Sequence, residues 1–355
     1  MQYVYMEVKK LLQEKLFLVF IMLSLGLNIG LCFSAEDVRA AVCQMAACGA
    51  DSEGGKIYDT LNTNAVGSYY YNERYIHSSV LNRWMKAKYE KLQASVDRLD
   101  AQDADLSPFA GSVTPLVHEA LFTHQLKALL LECVLIISLL GLRSFSVERQ
   151  MEMVSLIYCS RRGRRTARDK IIANGIVSAL YCLFLIVSSL AVFFMSWDFS
   201  MLWDANMASS LNYVIDPGDP ILMKPFITWD SFTVRQYLGC SAALMASVLS
   251  AWWLLANFVA VLVGSAYRGG MMLAAVMCLP FFGLTLLPKF YLSRLFYADT
   301  LTLSCVIYCN QWWFTDLGNY ALSAYQEVWT TAVHTLVLTA CLGAGLKYFG
   351  RKDLV

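Results

Sequence analysis

The sequence predicts an all-α polytopic membrane protein with six transmembrane helices. The chain is 57% hydrophobic and only 15% charged, whereas soluble domains are about one quarter charged. Six segments carry the roughly 20 mostly apolar residues that a helix needs to cross a hydrocarbon core about 30 Å thick. They are 16–33, 126–145, 171–197, 238–263, 271–287 and 328–348. The formal net charge of +1 gives no indication of a nucleic-acid partner.

The distribution of Lys and Arg predicts which side of the membrane each loop faces. Residues 143–170 carry eight Lys and Arg against three Asp and Glu, whereas 198–237 carries five Asp against Lys224 and Arg235. Because cytoplasmic loops are enriched in Lys and Arg, 146–170 should be cytoplasmic and 198–237 extracellular. Further Lys and Arg precede the first span and follow the sixth. We therefore expect both termini inside and a location in the cell (plasma) membrane.

The remaining segments have distinct predicted roles. Residues 34–125 form a helical extracellular domain, because apolar residues from Tyr75 onward recur every three or four positions. Segment 288–327 is rich in aromatics and re-enters the outer leaflet as short helices, caps the bundle, or forms an interfacial aromatic belt. Residues 1–15 predict an interfacial amphipathic helix, with Val4, Val8, Leu11 and Leu12 on one face. Residues 349–355 form a short cytoplasmic tail.

No motif indicates catalysis or a cofactor in this chain. Segment 49–57 resembles a phosphate-binding loop, but its first Gly is out of register and Ile57 replaces the hydroxyl residue that would hold magnesium. The four histidines show no metal-ligand spacing. We therefore expect no catalytic residue, no metal site and no cofactor here.

Several polar residues lie within predicted spans. Glu132 either faces the bundle interior or lies near the outer surface, paired with Lys127 or hydrated. Asn174 fits hydrogen bonding between helices, and His334 fits packing against a neighbouring hydroxyl or, alternatively, a proton relay. Outside the spans, Cys43 and Cys48 are close enough in sequence to form a disulfide.

The 146–170 loop contains two different kinds of residue. Its arginines, from Arg161 to Arg165, fit an anchor to lipid headgroups. Met153, Leu156 and Ile157 are apolar positions of a short amphipathic helix beside the membrane. A groove on a cytoplasmic partner would account for them, as in other cases of helix-in-groove docking.

These residues carry a resemblance to a known family. Glu148, Leu156-Ile157, Ser160-Arg161 and Lys170–Asn174 match parts of the loop between helices two and three in ABC-2-type permeases. Met151–Met153 stands where that family has Gly-Thr, and Tyr158-Cys159 stands where it has Pro. With six spans, an amphipathic start and a basic tail, the chain resembles the membrane subunit of a bacterial ABC exporter over nearly its whole length.

The resemblance implies a permease subunit without catalysis of its own. Two permeases, identical or different, would form a path for an amphipathic substrate such as a peptide, lipid or drug-like compound. Helices two and five would line the interface between the two subunits. Each subunit would dock a cytoplasmic P-loop ATPase, which binds the ATP and Mg²⁺, through a coupling helix over about 148–161. The residues implied in coupling are Glu148, Arg149, Met153, Leu156, Ile157 and Arg161.

Two other functions fit the same sequence. One is a membrane sensor or scaffold whose extracellular domain binds a ligand. The other is an intramembrane enzyme that uses Glu132 or His334. The first predicts ligand binding by the extracellular domain without an ATPase, and the second predicts turnover by the chain alone.

Overall fold

The computed structural model describes most of the chain as helix. The described residues are 2–34, 58, 62–63, 79–101, 119–151, 153, 163–197, 203–204, 206–208, 226–287, 293–318 and 320–351. Within these ranges there is no β-sheet, only one isolated bridge between Asn206 and Thr233. Six helices are long and apolar enough to cross a membrane. The chain is therefore an all-helical, multi-pass membrane protein.

Ten α-helices follow one another along the described chain. They are α1 (Gln2–Leu12), α2 (Lys15–Ser34), α3 (Ser79–Ala101), α4 (Leu126–Gln150), α5 (Thr166–Ser196), α6 (Val234–Val263), α7 (Ala266–Leu286), α8 (Ser293–Thr300), α9 (Leu303–Tyr308) and α10 (Gln326–Arg351). The membrane-spanning ones are α2, α4, α5, α6, α7 and α10. A π-helical segment, Glu119–Gln125, leads directly into α4.

Each predicted span overlaps one of these helices, but most of the helices extend further. α5 begins at Thr166, so the charged residues up to Lys170 are already helical. α6 begins at Val234, where the Thr233 hydroxyl accepts a hydrogen bond from Gln236 N and the Gln236 side chain accepts one from Thr233 N. A search for apolar runs misses such ends because capping residues and charged first turns are polar.

The spanning helices pack around α6. This helix contacts α4 on one side and α10 on another, while α5 packs against α4, α2 and α1. The α4–α6 contact is close, because a Cβ placed on Gly141 would lie 3.4 Å from Ala256 Cβ. Large side chains of α7 and α2 are exposed, Leu279, Phe282 and Leu23 among them, as expected for helices that face lipid.

The bundle has two contrasting ends. The basic end comprises α1, the end of α4 and the beginning of α5. The aromatic end comprises α3, residues 226–230, α8, α9 and the beginning of α10. Because successive spanning helices run in opposite directions, every loop between them lies at one of these two ends.

Helix α3 packs on the aromatic end through an apolar face. Its residues Met85, Tyr89 and Leu92 are buried in a cluster with Trp229 and Phe296. Within segment 288–327, the described residues form α8 and α9, and Trp313 and Phe314 are buried. Several aromatic side chains of this segment are therefore packed inside the protein.

Candidate functional site

A buried ion pair joins α4 to α5 at the basic end. Lys170 Nζ lies 2.5 Å from Glu148 Oε1, and the two side chains are only 3% and 9% exposed. The same ammonium group donates a hydrogen bond of 3.0 Å to the Ser144 carbonyl oxygen. Breaking such a pair leaves one charge buried without compensation, at a cost of about 3–5 kcal/mol. The end of α4 and the beginning of α5 are therefore fixed to each other.

Helix α1 belongs to the same cluster. It packs against α5 with Glu7 and Leu11 buried, and Glu7 lies near enough to Lys170 to interact with it electrostatically. Glu14, in the turn after α1, pairs with Arg143 of α4 at 3.3 Å. Glu7, Glu14, Arg143, Glu148 and Lys170, which we call the charged joint, thus connect α1, α4 and α5.

The buried side of α1 includes three of the four residues of the predicted apolar face and one charged residue. Leu11 is buried, Val4 and Val8 are half-buried and Leu12 is exposed, whereas Glu7 is buried. The apolar pattern could not reveal this, because Glu7 is buried next to a lysine of another helix.

The predicted coupling residues fall into three groups. Glu148 is buried in the charged joint, so its carboxylate faces Lys170 rather than a partner surface. Arg149 lies in the last turn of α4, and Met153 is 46% exposed just beyond it. Leu156, Ile157 and Arg161 lie outside the described residues. In this structure the carboxylate of Glu148 therefore faces the helix bundle and is paired with Lys170.

Lys170 was the partner that sequence reasoning missed. It was counted as one of the cations of the loop, yet Thr166, Lys170, Asn174 and Ser178 are all buried along α5. Their spacing of four places them on one helical face. A polar stripe of this period, rather than charge alone, was the signal for a buried lysine.

Asn174 connects α5 to α6, as expected for a residue that hydrogen-bonds between helices. Its Nδ2 donates to Asn257 Oδ1 at 3.0 Å, and its Oδ1 accepts a hydrogen bond from Ser178 at 2.9 Å. Both asparagines are completely buried. The contact lies directly above the charged joint on the same face of α5, so it extends the fixed region into the membrane.

Glu132 faces α2, not Lys127. Asn28 Nδ2 donates to Glu132 Oε2 at 2.6 Å and to the Ser24 carbonyl oxygen at 2.8 Å. Asn28 Oδ1 accepts a hydrogen bond from Gln125 Nε2, at 2.9 Å, and Glu132 is buried. Gln125 ends the π-helical segment that precedes α4. Of the two interpretations of Glu132, the structure favours the interior-facing one.

The other predicted site residues have simpler surroundings. His334 Nδ1 lies 2.8 Å from the carbonyl oxygen of Thr330, one turn earlier in α10. Cys43 and Cys48 lie outside the described residues. Within the part of the chain that the structure describes, no three His, Cys, Asp or Glu residues are grouped so as to hold a metal ion.

A second buried lysine lies at the aromatic end. Lys88 of α3 is fully buried, 3.8 Å from Asp316 Oδ2 and 4.4 Å from the centre of the Tyr89 ring. Burial lowers the pKa of Lys88 to about 7. Its spacing from Met85 and Leu92 places it on the apolar face of α3. That spacing was the sequence signal for its burial.

Comparisons with known proteins identify no relative. No protein-family model, curated protein or solved structure matches the chain. Functional inference therefore depends on the residues and geometry described above.

Proposed function

We propose that this chain is the membrane permease subunit of an ATP-driven ABC exporter of the ABC-2 type. It works as a homodimer or heterodimer in the cell membrane and moves an amphipathic substrate. A separate cytoplasmic P-loop ATPase supplies ATP hydrolysis with its bound ATP and Mg²⁺. In this proposal the basic end is cytoplasmic, as the Lys and Arg of 143–170 indicate.

The charged joint is the observation that carries the proposal. The Glu148–Lys170 pair joins α4 to α5, which the 151–162 segment connects in sequence, and α1 packs on α5. A partner that moves this segment therefore moves α1, α4 and α5 as one body. Met151 and Met153 are exposed beside the joint and offer apolar contact to such a partner.

Coupling requires more than a stable contact. A partner shifts the permease between two conformations only if it binds them with different affinities. Because the ion pair joins α4 to α5, ATP-driven closure of two ATPases acts on the membrane helices. The joint thus transmits the change and has no chemical step of its own.

The test is assembly of the full chain with a candidate P-loop ATPase that lacks membrane spans of its own. We expect the double variant Leu156→Asp and Ile157→Asp to abolish co-purification and to lower permease-stimulated ATP hydrolysis to the level of the ATPase alone. Val80→Asp is the matched control, because Val80 is an exposed apolar residue of α3 at the opposite end. It should leave both measurements unchanged.

Two outcomes would overturn the proposal. In the first, the double variant keeps full assembly and stimulation, and the docking assignment then fails. In the second, no ATPase binds the chain while the 34–125 region binds a ligand with the same affinity in the full chain and alone. That result supports the sensor function instead.

A further inference from the structure

Pro280 lies in the interior of α7. A proline has no backbone N–H, and its ring crowds the carbonyl group four residues earlier, so it removes one helical hydrogen bond and bends the helix. In α7 the carbonyl group that loses its helical N–H donor is that of Val276. Val276 is ten residues from Leu286, the last residue of α7, which is about 15 Å at 1.5 Å per residue. This carbonyl group therefore lies inside the spanning segment, where a polar backbone group needs a partner from the protein.

Helix α9 supplies that partner. The Ser304 hydroxyl donates a hydrogen bond of 2.7 Å to the carbonyl oxygen of Val276. The Tyr308 hydroxyl donates one of 3.0 Å to the next carbonyl oxygen, that of Met277. Ser304 and Tyr308 are four residues apart, so they lie on one face of α9. These two hydrogen bonds, which we call the latch, thus join α9 to α7 where the proline removes a bond of the helix.

The parts of α7 before and after the proline have different surroundings. Before it, Gly269 packs closely on α4, because a Cβ there would lie 2.4 Å from the Leu142 side chain. After it, the Phe281 ring packs against the Tyr308 ring of α9, with their centres 5.1 Å apart. The next side chain, Phe282, is exposed. The first part of α7 is thus held by the bundle, whereas residues 281–286 contact α9 and otherwise face outward.

The strength of the latch allows it to open. One hydrogen bond between membrane helices changes an equilibrium by only about threefold on average, so the two bonds together change it by about ninefold. They favour one bend of α7 strongly enough to be populated, but not so strongly that the bend is permanent. Water cannot replace the hydroxyl groups at this depth, so the bend depends on α9.

We propose that α7 is a hinged helix whose bend at Pro280 is set by the latch. While the latch is closed, residues 281–286 keep one direction relative to the rest of α7. When it is open, they take a range of directions. The inference goes beyond the proposed export function and does not depend on it, because it concerns contacts within one chain and requires no ATPase.

The experiment measures the direction of residues 281–286 in the full chain in lipid nanodiscs. Spin labels are attached through genetically encoded amino acids, so the native cysteines stay in place. One pair joins Leu286 to Leu336 of α10, and a reference pair joins Met272, before the proline, to Leu336; all three side chains are exposed. We expect the double variant Ser304→Ala and Tyr308→Phe to broaden the distance distribution of the 286–336 pair and to leave that of the 272–336 pair unchanged.

Pro280→Ala tests whether the proline is the origin of the effect. It restores an N–H group for the Val276 carbonyl oxygen, so the Ser304 hydroxyl is no longer needed there. With this substitution present, the same double variant should leave both distance distributions unchanged. Ser247→Ala is the matched control, because the Ser247 hydroxyl donates to the Ala243 carbonyl oxygen of its own helix, α6. In the wild-type chain it should change neither distribution.

Three results would overturn the proposal. The double variant leaves the 286–336 distribution unchanged, or it broadens the 272–336 distribution as much, which indicates general loosening. In the third, the double variant has the same effect with and without Pro280. If the double variant does not fold, Ser304→Ala alone decides the outcome by the same comparisons, with an expected shift of about threefold between closed and open forms.

Discussion

The two ends of the molecule each bury a lysine opposite a carboxylate, but the two pairs differ in how completely they are satisfied. At the basic end Lys170 lies 2.5 Å from Glu148 and also donates to the Ser144 carbonyl oxygen. At the aromatic end Lys88 lies 3.8 Å from Asp316, and its ammonium group has no hydrogen-bond partner. The first pair therefore fixes its helices, whereas the second holds α3 at an electrostatic cost.

This difference separates two kinds of structural role. Removing one partner of a buried ion pair with short contacts strongly destabilises the fold, because the remaining charge cannot be solvated. A buried lysine without hydrogen bonds is more stable neutral, so the attachment of its helix depends on pH. The attachment of α4 to α5 at the basic end should thus depend on both partners being present, and the attachment of α3 at the aromatic end should depend on pH.

The largest expected effect is at the basic end. Lys170→Met should lower the free energy of unfolding by about 3–5 kcal/mol, because Glu148 then remains buried and charged without a partner. Reversible unfolding in mixed detergent micelles measures this change. The double variant with Glu148→Leu should recover most of the loss, because it removes both charges. If the double variant is as unstable as the single one, the pair is not the source of the stability.

The aromatic end should show the next largest effect, as a dependence on pH. Burial lowers the pKa of Lys88 from 10.5 to about 7, so between these values the unfolded chain holds a proton that the folded chain lacks. Stability should therefore rise with pH across about 7 to 10.5, by about 1 kcal/mol per pH unit, and be lost as the pH falls. The groups facing Lys88 are Asp316 and the Tyr89 ring.

Unfolding curves at several pH values test this dependence. Lys88→Met should flatten the slope over this range. Lys86→Met is the matched control on the same helix, because the Lys86 side chain is 68% exposed, and it should retain the slope. Equal slopes in the two variants would show that another group titrates.

The sequence predicted the helices better than it predicted the sites. Long apolar runs identify spanning helices because lipid excludes polar side chains, so the six spans were found with only their polar ends missed. Side-chain contacts between helices are harder to predict from the sequence than the helices themselves. Glu148 was predicted to be a functional residue, but its partner Lys170 lies 22 positions away on another helix. Only the packing of α4 on α5 determines that contact.

Burial of a polar residue was predictable where its helical register was clear. Lys88 shares the apolar face of α3, and Asn174 shares the polar stripe of α5. The Asn28–Glu132 contact had no such signal, because α2 is apolar all round and gives no face to choose. The hydrogen-bond partners of Asn28 depend on the position of the neighbouring helix, which the sequence of α2 does not indicate.

The smallest effect should come from this network, which lies between the two ends and contains no ion pair. Asn28→Leu removes two hydrogen bonds between α2 and the helix formed by the π-helical segment and α4. Each such bond within membranes contributes about 0.6 kcal/mol on average, so the loss of two should cost about 1.2 kcal/mol. Glu132→Gln keeps an acceptor for Asn28 and should cost less than Asn28→Leu. Unfolding in mixed micelles again provides the measurement.

Gly30→Leu is the matched control for Asn28→Leu, because a Cβ on Gly30 of the same helix has no atom within 4 Å. It should be nearly neutral. Since Glu132 contacts Asn28 through a hydrogen bond, the proposed export function predicts that Glu132→Gln leaves transport intact. Loss of activity in this variant with unchanged stability would instead assign Glu132 a protonation or catalytic role. The neutral network would then be a functional site, and the distinction between a fixed basic end and a responsive aromatic end would no longer describe the whole molecule.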